Sequence, residues 1–193
     1  MKKIINTLNM VFIIALAVSA CASPPTEEMQ KAQDAVTRAE SDADAVTYAG
    51  NSIIRARDAL TRMQSEADSK RYDSAKEFAN EAIKNAEKAI SDGKSVKERS
   101  KTEAATLIES LQTLFAETSN AVNNAKSVPN ILLDFGAIAR DMDDARETLE
   151  DIRQSFQAGN NLDVIAKGQA VRALLSEINA RINGAAIATS RKQ

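Results

Sequence analysis

The sequence predicts an all-α protein, an antiparallel helical bundle of about six helices joined by short turns and preceded by a cleaved signal peptide. Three observations carry that prediction. Alanine supplies 34 of the 193 residues while Gly (6) and Pro (3) are scarce, a balance that favours long helices over sheets. From Met29 onward the apolar positions recur in alternating steps of three and four, as on one face of a helix. No stretch shows the period of two that a half-buried strand requires.

The first helix spans about residues 27–49, with a seam of Met29, Ala32, Val36, Ala39, Ala43 and Val46. Thr26 suits its N-cap, Glu27 and Glu28 suit its positive end, and Gly50-Asn51 marks its exit. Ile53, Ala56, Leu60, Met63 and Ala67 form a second helix that yields near residues 68–71. The third carries Tyr72, Ala75, Ala79, Ala82, Ala86 and Ala89, and stops at Asp92-Gly93, a C-terminal glycine cap. Ser95 with Glu98 three residues later reads as a capping box opening a fourth helix. It bears Ala104, Ile108, Leu111, Phe115, Thr118, Val122 and Ala125 until Pro129 ends it.

A fifth helix follows through Phe135, Ile138, Met142, Ala145, Leu149, Ile152 and Phe156, broken at Gly159-Asn160-Asn161. The sixth uses Val164, Gly168, Val171, Leu175, Ile178 and Ile182, with residues 189–193 fraying. Gly168 on that stripe would let a neighbouring backbone come close. The seams differ in substance, mostly Ala in helices one and three but Leu, Ile and Phe in helices four to six. The C-terminal half should therefore supply most of the core stability, leaving helix one the element most prone to swing, swap or bind a partner. Residues 56–60 (ARDAL) and 145–149 (ARETL) suggest a faint internal repeat, the alternative being chance similarity between alanine-rich heptads.

Ahead of the bundle, residues 1–20 contain Lys2, Lys3, an apolar run over 10–18 and no acidic residue. These are the n-region and h-region of a secretory signal peptide, too short for a spanning helix of about 20 apolar residues. The run ends in Val18-Ser19-Ala20-Cys21, which resembles the lipobox of bacterial lipoproteins. That resemblance implies cleavage between Ala20 and Cys21, diacylglycerol on the Cys21 thiol and an acyl chain, such as palmitate, on its new amine. Residues 21–26 would then form the acylated cysteine and a short tether containing Pro24 and Pro25. Two or three acyl chains hold a protein on a membrane without a spanning helix. Ala22, where retained lipoproteins carry Asp, implies the outer membrane of a bacterial cell envelope, on its periplasmic or outer side.

Composition narrows the chemistry. The chain has no His, no Trp and one Cys, so triads, Cys-His pairs and His-bearing metal sites are excluded. An acylated Cys21 closes thiol catalysis as well. Removing residues 1–20 leaves 23 basic and 27 acidic residues, a net charge of −4, which argues against nucleic acid and against general attraction to anionic lipids.

Four local patterns invite chemistry. Ser91-Asp92-Gly93-Lys94 has the Ser-x-x-Lys spacing of penicillin-recognising enzymes but reads as a helix-ending turn. Asp141, Asp143, Asp144 and Glu147 could collect calcium, yet lack the glycine turn and alternating ligands of a calcium loop; like Asp42 and Asp44, they read as a solvated face. Lys94, Lys97, Arg99 and Lys101 make a basic spot at the start of helix four, where the helix dipole disfavours it and Glu98 and Glu103 dilute it. Arg191-Lys192-Gln193 resembles the tail of the murein lipoproteins, whose lysine joined to peptidoglycan is terminal; here Gln193 follows Lys192.

Residues 48–89 carry a wider resemblance. Tyr48-Ala49, the Ala56 to Leu60 segment, and Tyr72-Asp73-Ser74-Ala75 leading into Ala79, Ala82 and Ala86 resemble domain of unknown function 4398. This is a bacterial envelope module found in lipoproteins and beside OmpA-like domains. Its second hairpin is similar to half a tetratricopeptide repeat, although Ala79 stands where such repeats carry an aromatic and Gly50 where the family carries a proline. The resemblance implies a helical hairpin in an envelope lipoprotein and brings no catalytic residue or cofactor. The expected segments are residues 27–93, alanine-rich, and 95–188, with the larger apolar core. The function expected is a non-enzymatic, lipid-anchored scaffold or adaptor that meets protein partners through its helix faces. A carrier of a lipid or other apolar ligand in the bundle core, and a homo-oligomeric structural lipoprotein, are the alternatives.

Overall fold

The computed structural model describes residues 23–191, so Val18, Ser19, Ala20 and Cys21 of the lipobox lie outside the described residues, as does Lys192. Six helices make up the described chain: α1 Thr26–Ser41, α2 Ala43–Tyr48, α3 Gly50–Asp68, α4 Tyr72–Lys126, α5 Phe135–Gln157 and α6 Asn161–Ser190. Among the described residues there is no strand, as the periodicity predicts. The chain divides into two compact units with the boundary between Lys94 and Ser95, inside α4.

In the N-terminal unit α1, α3 and the first part of α4 run up, down and up. Arg57 near the start of α3 pairs with Glu40 near the end of α1, while Lys76 and Glu28, near the starts of α4 and α1, approach to 3.4 Å. The core is Ala32, Ala35, Val36, Ala39, Ala45, Ala49, Ile53, Ala56, Ala59, Met63 and the α4 alanines 79, 82, 86 and 89. Side chains this small let helix axes approach closely, at the expense of buried apolar area.

The C-terminal unit repeats the up, down, up order with residues 95–126 of α4, then α5, then α6. Ser110 meets Arg172, and Thr118 meets Asn179, 62 and 61 residues apart, so α4 and α6 run parallel. Asp141 meets Arg181 and Asp151 meets Lys167, an order that sets α5 antiparallel to α6. Leu111, Ile138, Ile152, Leu175 and Ile178 lie fully inside. Every position of the three seams assigned from spacing to this unit is buried or half-buried. The paired segments 56–60 and 145–149 fall on α3 and α5, the descending helix of each unit.

Several boundaries differ from expectation. The first helix is interrupted at Asp42, whose extended backbone (ψ 113°) lets its carboxylate accept the Ala45 amide at 2.8 Å as the N-cap of α2. The break shifts the helix face. Ala45 and Ala49 go inside, whereas Ala43 and Val46 of the predicted seam are exposed. Thr26 is the first helical residue rather than the cap, which falls on Pro25 and makes no side-chain bond. Gly50 opens α3 instead of closing the helix before it, with Ala49 alone out of helical geometry.

The largest correction is at Gly93, where the predicted C-cap and the Ser95-Glu98 capping box vanish into the interior of α4. The stripe of small and apolar residues does not pause there. Ala86, Ala89, Gly93, Val96, Ser100, Ala104, Leu107 and Leu111 continue it in steps of three and four, all buried or half-buried. Asp92 is taken up by a 2.8 Å ion pair to Lys88, one turn back on the same helix. The expected stops elsewhere hold: Gly159 has φ +79° between α5 and α6, and α4 ends shortly before Pro129. The last helix runs on to Ser190 rather than fraying from residue 189.

Candidate functional site

Gly93 takes part in a close interhelix approach within the N-terminal unit. A Cβ on it would lie 2.7 Å from the Ala45 amide nitrogen and 2.7 Å from the Asp44 carbonyl carbon, distances a real side chain does not tolerate. Glycine is therefore required because the backbone of α2 rests on α4 here, a requirement different from the conformational one a cap would impose. Ser91 and Lys94 flank this contact as exposed residues of a continuous helix, which removes the helix-ending turn assigned to them and sets the Ser-x-x-Lys spacing outside any α/β site.

Gly168 also differs from expectation. The atoms filling its missing side chain belong to Leu107, whose Cγ would be 2.9 Å from an added Cβ, and to Leu111, whose Cδ1 would be 3.2 Å away. A side chain, not a backbone, exploits the gap. Beside it α4 and α6 form a groove of about 660 Å³, lined by Arg99, Thr102, Thr106, Leu107, Ser110 and Arg172. The hydroxyls of Thr102, Thr106 and Ser110 donate to backbone carbonyls of their own helix, and Ser110 accepts from Arg172 at 3.1 Å. A second groove, between α4 and α5, has Phe115 and Leu149 beneath Arg146, which stacks on the Phe115 ring at 5.6 Å.

The predicted acidic cluster is dispersed by its neighbours. Asp141 accepts from Arg181 at 2.6 Å and Asp143 from Arg146 at 2.7 Å, while Asp144 and Glu147 are exposed. Among the described residues no group of three or more Asp, Glu or Cys is placed to hold a metal ion. Asp42 is an N-cap and Asp44 part of the Gly93 contact, so neither is simply a solvated charge. The basic residues Lys94, Lys97, Arg99 and Lys101 sit in the interior of α4, so no helix N-terminus opposes them.

Spacing did not reveal two polar contacts that the tertiary structure assembles. Lys167 donates at 2.7 Å to both Asp151 and Asp163, and the Ser155 hydroxyl donates to Asp163 at 2.7 Å. The hydrogen bond to Asp151, then that to Asp163, raises the Lys167 pKa above its ordinary value; those from Lys167 and Ser155 lower that of Asp163. An ammonium held this firmly cannot serve Ser155 as a general base, so the cluster clamps α5 to α6. Asn179 donates at 2.7 Å to Thr118, which is fully buried on α4, and fixes the register of that pair of helices.

Together these features define an all-α bundle protein in which the polar contacts described cap helices, fix register and tie helix to helix. Residues 27–105 match the family model described as domain of unknown function (DUF4398). The match is wider than the 48–89 resemblance, taking in α1, α2, α3 and α4 as far as residue 105. No curated protein and no solved structure matches the chain. Among the described residues no helix is long and apolar enough to cross a membrane.

Proposed function

We propose that the chain is a non-enzymatic, lipid-anchored scaffold of a bacterial cell envelope, held by acyl chains on Cys21 and offering its helix faces to protein partners. The motif Val18-Ser19-Ala20-Cys21 behind Lys2, Lys3 and the apolar run carries the reading, because a cysteine directly after such an h-region is the substrate pattern of lipoprotein processing. The match of residues 27–105 to that domain, a module which the sequence resemblance associates with envelope lipoproteins, supports the reading. The filling of the Gly168 gap by Leu107 favours a scaffold over a carrier, since protein atoms occupy the space that a ligand in the core would take.

Replacing Cys21 by Ser should abolish incorporation of labelled palmitate and release the protein from the membrane fraction. Unchanged labelling overturns the anchor. Immobilised chain from residue 22 onward should recover a specific protein from envelope extract; recovery of none, with a small amphiphile retained in native mass spectrometry, transfers the reading to a carrier.

A further inference from the structure

One end of the C-terminal unit, where α4 and α6 finish and the connection 127–134 crosses to α5, carries an unusual surface. The parallel register of α4 and α6, offset by 61 to 62 residues, brings Ile187 level with Lys126. Residues 131–134 lack helical structure and their side chains alternate: Ile131 and Leu133 pack on the core, while Leu132 between them turns outward at 78% exposure. Val128 and Ile187 are exposed at the same end. Half of the exposed large apolar side chains among the described residues thus gather here.

The charge of this end opposes that of the whole chain, which is −2. Lys126, Arg140, Arg181 and Arg191 stand against Asp134 and Asp141. Asp141 is engaged by Arg181, and Asp134 accepts the Ala137 amide at 2.9 Å. Arg140 acts electrostatically on Asp134 beside Gly136, whereas no ion pair is formed by Lys126 or Arg191 among the described residues, and these two remain for an external anion. A protruding apolar tip flanked by cations suits a lipid interface, which accepts an apolar side chain below its phosphates without a matching cavity.

We infer that this end of the bundle docks on an anionic lipid surface, with Leu132, Val128 and Ile187 entering the interfacial layer and Lys126 and Arg191 meeting the phosphates. The contact uses no residue of the lipobox and stands or falls apart from acylation of Cys21.

The test is co-sedimentation of residues 23–193, which retain both cores but neither Cys21 nor the apolar run, with vesicles of phosphatidylcholine containing about one-third phosphatidylglycerol. Binding should exceed that to pure phosphatidylcholine and weaken with added salt. Leu132→Ser should lower the partition coefficient at least about tenfold, the worth of one buried leucine side chain. Arg191→Gln should weaken binding only to the anionic vesicles. Leu132 is exposed, so the variant's thermal melt should match the parent and separate lost binding from lost folding. Absent binding, equal binding to both vesicle types, or binding indifferent to Leu132→Ser each overturns the inference.

Discussion

The two units share an up, down, up order of helices but are held together by different means. Eleven of the fourteen residues in the N-terminal core are alanine, against three of fifteen in the C-terminal core. An alanine buries little apolar area, so the N-terminal unit gains from the closeness of its backbones, as where Gly93 meets Ala45. The C-terminal unit gains from the volume of Leu111, Ile138, Ile152, Leu175 and Ile178, at roughly 25 cal/mol for each Å² of apolar surface removed from water. Small seams make shape the limiting quantity; large seams make volume so.

That contrast is open to direct attack. The largest expected effect is in the C-terminal core, where Leu175→Ala should cost about 3 kcal/mol in denaturant unfolding by opening a cavity. In the N-terminal core the harmful direction is reversed. Ala82→Leu should cost about 2 kcal/mol through overpacking, whereas Ala82→Gly should cost only about 1 kcal/mol. If Ala82→Leu were neutral, the N-terminal helices would not be in close apposition.

A smaller and sharper test compares two helical glycines. Nothing lies within 4 Å of a Cβ added at Gly184, so Gly184→Ala should stabilise the protein by about 0.5 to 1 kcal/mol. Gly93→Ala gains the same helix propensity but drives a methyl into the α2 backbone, and should lower the melting temperature. Equal stabilisation by both would mean that α2 yields freely.

The smallest effect is electrostatic. Hydrogen bonds from Lys167 and Ser155 hold Asp163 below its ordinary pKa of 3.8, so its stabilising contribution is present above that value and lost as pH falls through the lower folded one. The raised pKa of Lys167 acts at the opposite limit, its contribution being complete below the ordinary 10.5 and lost as pH rises past the folded value. Asp163→Asn should flatten the acid limb of the melting profile below about pH 4, a result to be compared with the exposed control Asp144→Asn. An unchanged acid limb would show that the clamp contributes nothing.

Much of this molecule was legible from spacing. The seams of α5, α6 and the later part of α4 were readable position by position, because a branched or bulky apolar side chain recurs every three or four residues along one face. The breaks were less readable. Asp42 lies within an unbroken three-four pattern, and only its capacity to cap distinguishes it from the exposed acids around it. At Gly93 local signals pointed the wrong way: Asp-Gly and a Ser-x-x-Glu pattern resemble a stop followed by a start, although the stripe through Val96 and Ser100 continues. The Lys167 clamp and the Asn179–Thr118 bond join residues on different helices, or on opposite sides of a turn, so no spacing rule addresses them. Cys21, the residue that carries the functional proposal, is legible only as sequence, in the order of charge, apolar run and small residues before it.

By itself the sequence determined the helical class, the face each long helix buries and the imbalance between an alanine-rich and a leucine- and isoleucine-rich core, because periodicity and side-chain size are properties of the chain alone. Only the tertiary structure decided where helices break or continue. Glycine and aspartate each serve two opposed roles, and which prevails depends on what packs against them: the α2 backbone makes Gly93 an interior contact, and the free amide of Ala45 makes Asp42 a cap.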